Sequence, residues 1–286
     1  MILNTRTDTA AWLLIGAWTA VTLTSLFAPQ IISFNLSRYL NVALMCAFTL
    51  LHGARRYGWR GILIYFAIAL VVTNVFESMS ILIGFPFGTY HHTASMGPQI
   101  FQVPLIVGPI FAVAGYLGWA IAGILLGDVF TDSKRGVLLA KPVIAAFITT
   151  SWDLCVDPIG GTINRDWVWA DGGGYFGVAW LNFFGWMLTL WVIFQMFAFF
   201  LARRGPPLPP TESTHYWLQP LVFWTLIAAQ FPLLFAIVPD ALVTDPSGQS
   251  WHTADLLQTM ALVSVFTMLF VAILGFFLLW QRRESA

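Results

Sequence analysis

An all-α membrane protein, a polytopic bundle of about eight transmembrane helices with both termini in the cytoplasm, is the fold this sequence predicts. Three observations carry that reading. Of 286 residues, 58% are apolar and only 9% charged, and mean hydropathy is +0.78, whereas soluble chains carry about 25% charged residues. The apolar residues gather in runs close to the roughly 20 residues a helix needs to cross a bilayer. Lys and Arg fall in alternate connections between those runs, as they do when cytoplasmic loops are enriched in basic residues.

The first run, Ala10 to Phe27, follows an N-terminus that contains Arg6. Its length, the Ala28-Pro29-Gln30 that ends it without a small-x-small cleavage pattern, and the runs behind it mark a retained helix, not a signal peptide. The second, Leu36 to His52, is short and carries Asn41 and His52, so a re-entrant segment and seven spans stay open there. Gly61 to Ile83, Ile100 to Leu126, Val137 to Cys155, Phe176 to Leu201, Tyr216 to Val238 and Asp255 to Trp280 complete the eight. Pro104 and Pro109 lie inside the fourth run, where they kink a helix or free its carbonyls, and this shifts the expected membrane entry toward Pro109. Phe85-Pro86-Phe87-Gly88 turns the chain after the third run, and Gly205-Pro206-Pro207-Leu208-Pro209-Pro210 makes a stiff connection before the seventh. With no internal repeat and no soluble domain, residues 1–286 read as one integral-membrane domain.

Basic residues test the count independently. Arg6, then Arg55, Arg56 and Arg60, then Lys134, Arg135 and Lys141, then Arg203 and Arg204, then Arg282 and Arg283 occupy the connections on one side. Of the 13 basic residues only Arg38 and Arg165 fall on the other. Dropping any interior span scrambles this pattern. In a prokaryote the membrane would be the cytoplasmic one, with lipid as the surrounding partner. A formal net charge of zero gives no reason to expect nucleic acid. Cys46 and Cys155 both fall in apolar segments and read as reduced, packed thiols.

Against this background the stretch from Ser151 to Asn182 stands out, because it holds four of the 13 acidic residues: Asp153, Asp157, Asp166 and Asp171. Glu77 is the one carboxylate well inside a run, and burying an ionisable group in hydrocarbon costs about 2.5 to 3.5 kcal/mol, so such a residue usually faces the bundle interior and has a role. Asp153 and Asp157 close the fifth helix four residues apart, which puts both on one face. Pro158 disfavours helical backbone at Asp157, so the helix is expected to end there, with Gly160-Gly161 turning the chain. The topology brings Glu77, the two aspartates and Asn182, early in the sixth helix, to one level near the outer face. For Asp166 a partner in Arg165 or solvent, and for Asp171 the N-cap of the sixth helix, are the plainer readings.

Aromatic residues crowd the same side: Phe85, Phe87, Tyr90, Trp152, Trp167, Trp169, Tyr175 and Trp180. An interfacial belt accounts for some of them. In an extended backbone Trp167-Val168-Trp169 places both indoles on one side, and aromatic faces interleaved with acids also suit a pocket that stabilises a carbocation. His91 and His92 are adjacent, adjacent residues rarely aim at one ion, and the other histidines are scattered, so no metal site is expected. No phosphate-cradling loop, nucleophile elbow or dinucleotide fingerprint occurs, so no cofactor is expected either.

The combination of Phe76-Glu77, Gly84-Phe85-Pro86-Phe87-Gly88-Thr89-Tyr90, Val103-Pro104, Asp153-Leu154-Cys155-Val156-Asp157-Pro158, Gly173-Gly174-Tyr175-Phe176-Gly177 and Asn182-Phe183-Phe184-Gly185-Trp186 resembles the integral-membrane carotenoid biosynthesis family. Its characterised members are the CruF-type carotenoid hydratases, including the bacterioruberin-pathway hydratase. The likeness covers about residues 70 to 190. It implies cofactor-free addition of water across the terminal double bond of an acyclic carotenoid end group, giving a tertiary alcohol, with other carotenoid-pathway enzymes as neighbours. Such chemistry needs a protonated acid in a water-poor pocket, electron density to stabilise the cation, and one held water. Carboxylates clustered in low dielectric oppose one another's ionisation and keep a proton available. Asp153 or Asp157 is the expected acid, Glu77 the group that orients water or stabilises the cation, and Asn182 the residue that holds their geometry.

Two other functions remain open from the sequence. An intramembrane polyprenyl transferase would use Asp153 and Asp157 to hold magnesium and a diphosphate, but only Arg38 and Arg165 lie on that side to receive the leaving group. A proton-coupled transporter would use Glu77 and Asp153 as relay groups, although no inverted repeat is visible.

Overall fold

The computed structural model describes residues 2–129, 135–203 and 214–284. Lys134, Arg204 and the Gly205 to Pro210 connection lie outside them. Among the described residues, seven helices are long and apolar enough to cross a membrane, and one of them is two spans. After α1 (Ile2–Phe27), α2 (Phe34–Ile83) runs for 50 residues, which at 1.5 Å per residue is about 75 Å of helix against a hydrocarbon core of about 30 Å. It breaks at Gly58, whose φ of 66° and ψ of 164° are non-helical. Positive φ costs glycine little and other residues much. A Cβ placed on Gly53 would run into Ile62, a contact that nine residues of straight helix, about 13 Å, would forbid. The chain therefore doubles back, and the two legs correspond to the expected runs at Leu36 to His52 and Gly61 to Ile83.

The first leg crosses as a regular helix despite its polar residues because those residues have partners. Asn41 donates to the Thr22 hydroxyl at 3.0 Å. His52 meets the Tyr116 hydroxyl at 2.6 Å and the Tyr216 carbonyl at 3.0 Å.

Among the described residues, three two-stranded ribbons lie between the helices: β1 (Tyr90–His92) with β4 (Trp167–Trp169), β2 (Gln99–Ile100) with β3 (Val103–Pro104), and β5 (Leu242–Thr244) with β6 (Ser250–His252). Pro104 thus belongs to a ribbon and does not kink a helix. The helix that follows, α3 (Val107–Leu126), starts near Pro109. It is followed by α4 (Arg135–Asp157), which a π-helical turn (Pro158–Ile163) extends, and by α5 (Trp180–Ala202) and α6 (Thr214–Ile237). The last span is continuous through α7 (Thr253–Val263), a π-helical stretch (Ser264–Leu269) and α8 (Phe270–Glu284).

At the centre stands α3, apolar on every side and buried along most of its length, the pattern of a helix surrounded by others. Its small residues admit close neighbours, as membrane helix packing requires. Gly118 leaves room for Thr149 of α4, and Gly115 lies 3.0 Å, measured to a built Cβ, from the Tyr65 hydroxyl. At one end of the bundle, just after α3, Asp128 pairs with Arg56 at 2.6 Å and with the fully buried Lys141. The ribbons and the acidic stretch occupy the opposite end.

Three local expectations are corrected. The α-helical part of α4 ends at Asp157, but Asp157 does not leave helical backbone: it keeps φ and ψ of −63° and −41°, and the chain runs on into a π-helical turn. The wide turn that follows, closed by the Asn164 N–H on the Ile159 carbonyl at 2.9 Å, accommodates Pro158. Asp171 does not cap the next helix, because α5 begins only at Trp180 with Ala179 as its N-cap. Between them the chain folds back on itself, with Gly173 against Val178 and left-handed backbone at Gly172, Phe176 and Gly177. Asp166 pairs neither with Arg165 nor with solvent. It is buried and accepts from Arg38 at 2.5 Å and from the Ser95 hydroxyl at 2.8 Å.

Candidate active site

Helices α1 to α6 and the β1–β4 ribbon enclose a cavity of about 310 Å³, within the range of small-ligand sites. Its lining is mostly apolar, and the polar exceptions come from separate elements: Glu77, Tyr90, His92, Asp157, Asn164, Asp166 and Asn182, with Thr22, Ser25, Ser37, Arg38, Asn41 and Gln230 on the side formed by α1, the first leg of α2 and α6.

The ribbon is built on glycine. Gly160 and Gly161 in the π-helical turn sit beneath the Trp167 and Trp169 rings; a Cβ on Gly160 would overlap Trp167, and one on Gly161 would lie 2.6 Å from Trp169. The seated strand pairs with β1 in the register Tyr90 to Trp169 and His92 to Trp167, and directly opposed residues share a face. Alternation along each strand therefore sends Tyr90, His92 and both indoles the same way, and all four line the cavity. The Trp169 indole N–H also donates to the Phe87 carbonyl at 3.1 Å.

Glu77 reaches this face from the second leg of α2 and is 4% exposed. Its Oε2 accepts the Tyr90 hydroxyl and lies 3.2 Å from His92 Nε2. From α4, Asp153 and Asp157 are both buried, at 0% and 3% exposure, yet their positions differ. Asp157 lines the cavity, whereas Asp153 lies behind it, with Oδ1 lacking a hydrogen-bond partner. Asn182, in the first turn of α5, donates through one Nδ2 to Asp157 Oδ2 and to Asp153 Oδ2, the latter at 3.4 Å. The two carboxyl groups thus meet at a single amide nitrogen. Around them, Trp152 meets Trp186 edge to face at 5.9 Å, and Trp186 stacks on Phe111 at 3.7 Å.

Of the residues the sequence singled out, Glu77, Asp157, Asn182, Tyr90, Trp152, Trp167 and Trp169 line one cavity and Asp153 backs it. Phe85, Phe87 and Tyr175 do not line it. Phe85 is half exposed, and Phe87 is buried against Gly185, where a Cβ would lie 2.5 Å from its ring. The Ser80 hydroxyl accepts the Phe87 N–H at 2.9 Å and donates to the Gly88 carbonyl at 2.8 Å. The Phe-Pro-Phe-Gly turn is thereby fastened to α2 and carries the carbonyl that receives Trp169. Tyr175 donates its hydroxyl to the Leu154 carbonyl at 3.1 Å. His92, Trp186 and Phe111 are cavity residues that sequence reasoning missed. Two-residue alternation with Tyr90 is the signal that would have placed His92, had a strand been expected there.

Among the described residues, no three His, Cys, Asp or Glu side chains are grouped to share a metal ion. Residues 34–248 match a family described as carotenoid biosynthesis protein. No curated protein and no solved structure matches the chain.

Proposed function

This chain belongs to the carotenoid biosynthesis protein family, and from that premise we propose that it is a carotenoid hydratase, adding water to the terminal double bond of an acyclic end group without a cofactor. It is an integral membrane protein, and the seven long apolar helices among its described residues supply the setting. The observation that carries the reading is that Glu77 and Asp157, the latter joined through Asn182 to Asp153 behind it, line one aromatic-walled cavity.

Ionised carboxylates only accept hydrogen bonds, and Asp153 and Asp157 meet at one buried Asn182 nitrogen, so the proposed reaction starts with a proton on this pair. Asp157, at the cavity wall, gives that proton to the less substituted alkene carbon. The tertiary cation left on the neighbouring carbon faces the indoles of Trp152, Trp167 and Trp169, whose π-electron density favours positive charge. A water held on the Glu77 side attacks the cation and loses a proton, and that proton returns to the aspartate pair. The net change is alkene plus water to tertiary alcohol, with every group restored. Asn182 fixes the spacing of the two carboxyls throughout.

A polyene about as long as the bilayer is thick reaches such a site laterally, with only its end group inside the cavity. The alternation of Lys and Arg supports an orientation with the termini cytoplasmic and the site at the outer level of the cytoplasmic membrane. Expression in a host that accumulates an acyclic carotenoid, followed by mass analysis of the pigments, tests the proposal. The expected product is heavier by one water per hydrated end, and an unchanged pigment would refute the reading.

A further inference from the structure

Tyr90 and His92 are two residues apart on β1, and both turn toward Glu77. Their strand is held by its register with β4, whose indoles rest on Gly160 and Gly161. Both hydrogen bonds fall on one carboxyl oxygen, Oε2: the Tyr90 hydroxyl donates to it, and His92 Nε2 lies 3.2 Å away. Facing an acceptor, Nε2 carries the hydrogen, so the imidazole meets the carboxyl as a donor. The imidazole side chain is 4% exposed and the Glu77 side chain 5%, so little solvent competes for either. Two donors on one oxygen fix the rotation of the carboxyl plane, and Oε1 is left for whatever occupies the cavity that Glu77 lines. With Tyr90 alone, the plane would pivot about a single contact.

We propose that His92 is a positioning residue for Glu77, holding its free oxygen at the place where the reacting water must sit. The inference rests on the hydratase reading. It assigns to the ribbon a purpose beyond walling the pocket, because β1 supplies both donors that aim the carboxylate. His92 itself exchanges no proton with substrate; it acts through Glu77.

The test compares turnover and half-saturating substrate concentration of the full-length protein, in detergent or proteoliposomes, on an acyclic carotenoid. Loss of one hydrogen bond to a charged group corresponds to roughly a 10- to 100-fold effect. His92→Leu is therefore expected to lower turnover by that factor while leaving the half-saturating concentration within about twofold. His92→Gln, which keeps an N–H donor, is expected to recover most of the loss. In a Glu77→Gln background the same His92→Leu change is expected to cost no more than about twofold, because residues that act through one another are not additive. Full turnover in His92→Leu, or an equal loss in both backgrounds, would overturn the proposal. So would a well-folded His92→Gln variant as impaired as His92→Leu. Absence of hydrated product from the wild-type protein would instead remove the hydratase reading on which it rests.

Discussion

Asp157 forms part of the cavity wall while Asp153, one helical turn earlier on α4, is sealed behind it, and a single Asn182 amide nitrogen donates to both. This front-and-back arrangement divides roles that i, i+4 spacing alone leaves equivalent. In the proposed reaction Asp157 is the group that touches substrate, and Asp153 is its partner behind the wall. Replacing Asp157 with Asn is expected to lower hydration by about 10²- to 10⁴-fold, the usual range for a general acid. Asp153→Asn keeps a hydrogen-bonding partner behind the acid and is expected to cost less. Pigment yields from the two variants at equal protein level check the ordering, and equal activities would contradict it.

Asn182 holds two carboxyls that would otherwise adjust their spacing freely. Asn182→Leu removes the shared donor from a buried site, and leaving a buried polar group unsatisfied costs about 1–3 kcal/mol. The expected result is reduced hydration together with a lower thermal midpoint in detergent. Asn182→Ser, with a shorter donor, should fall between Leu and wild type on both measurements.

The aromatic wall depends on the absence of side chains beneath it. A methyl group at Gly160 would overlap the Trp167 ring, and overpacking of this kind typically costs about 1–3 kcal/mol. Gly160→Ala is thus expected to displace Trp167, visible as a change in tryptophan fluorescence, and to lower product yield with the carboxyl groups intact. Unchanged fluorescence and unchanged yield would show that the wall tolerates the added carbon.

Helices and acids were largely legible in the sequence because both follow from energetic necessity. Bilayer thickness sets the length of each apolar run, and alternation of basic residues separated the two legs of α2 although Gly58 joins them without a loop. Glu77 and Asp153 were marked by the cost of placing carboxyl groups in an apolar chain. The connections were harder to read. The fold-back at Gly173 and Val178, the π-helical turn that keeps Asp157 helical before Pro158, and the pairing of Asp166 with Arg38 are contacts between segments far apart in sequence or departures from local preference. His92 was obscure for the same reason, since its partner Glu77 and its strand partner Trp167 come from two other parts of the chain. Phe85 and Phe87 could be recognised as part of a motif, but only the turn's hydrogen bonds to Ser80 show it bracing the ribbon.

At the opposite end, Asp128 lies between Arg56 and Lys141. Burial pushes its carboxyl up, and the charges of Lys141 and Arg56 more than offset that, holding it below the usual carboxylate value. A group so depressed stabilises the fold fully above its unfolded value of about 3.9, and the contribution is lost as pH falls through the lower folded value. Asp128→Asn takes away the carboxylate that the fully buried Lys141 meets, and breaking a buried ion pair costs about 3–5 kcal/mol. Thermal unfolding in detergent should show the variant well below wild type at neutral pH, with the gap narrowing in strong acid. A gap that widens on acidification would contradict the assignment.

The central claim is that the Asp153–Asp157 pair and Glu77, from separate helices, act together at one cavity to hydrate a carotenoid end group. Its most direct test is pigment mass analysis in a host that accumulates an acyclic carotenoid, expressing wild type, Glu77→Gln, Asp153→Asn or Asp157→Asn at matched levels. The account predicts hydrated pigment from wild type, its near-complete loss from Asp157→Asn and a large but still measurable loss from Glu77→Gln, with a smaller loss from Asp153→Asn. Undiminished hydrated product from both Glu77→Gln and Asp153→Asn, or from Asp157→Asn alone, would contradict it.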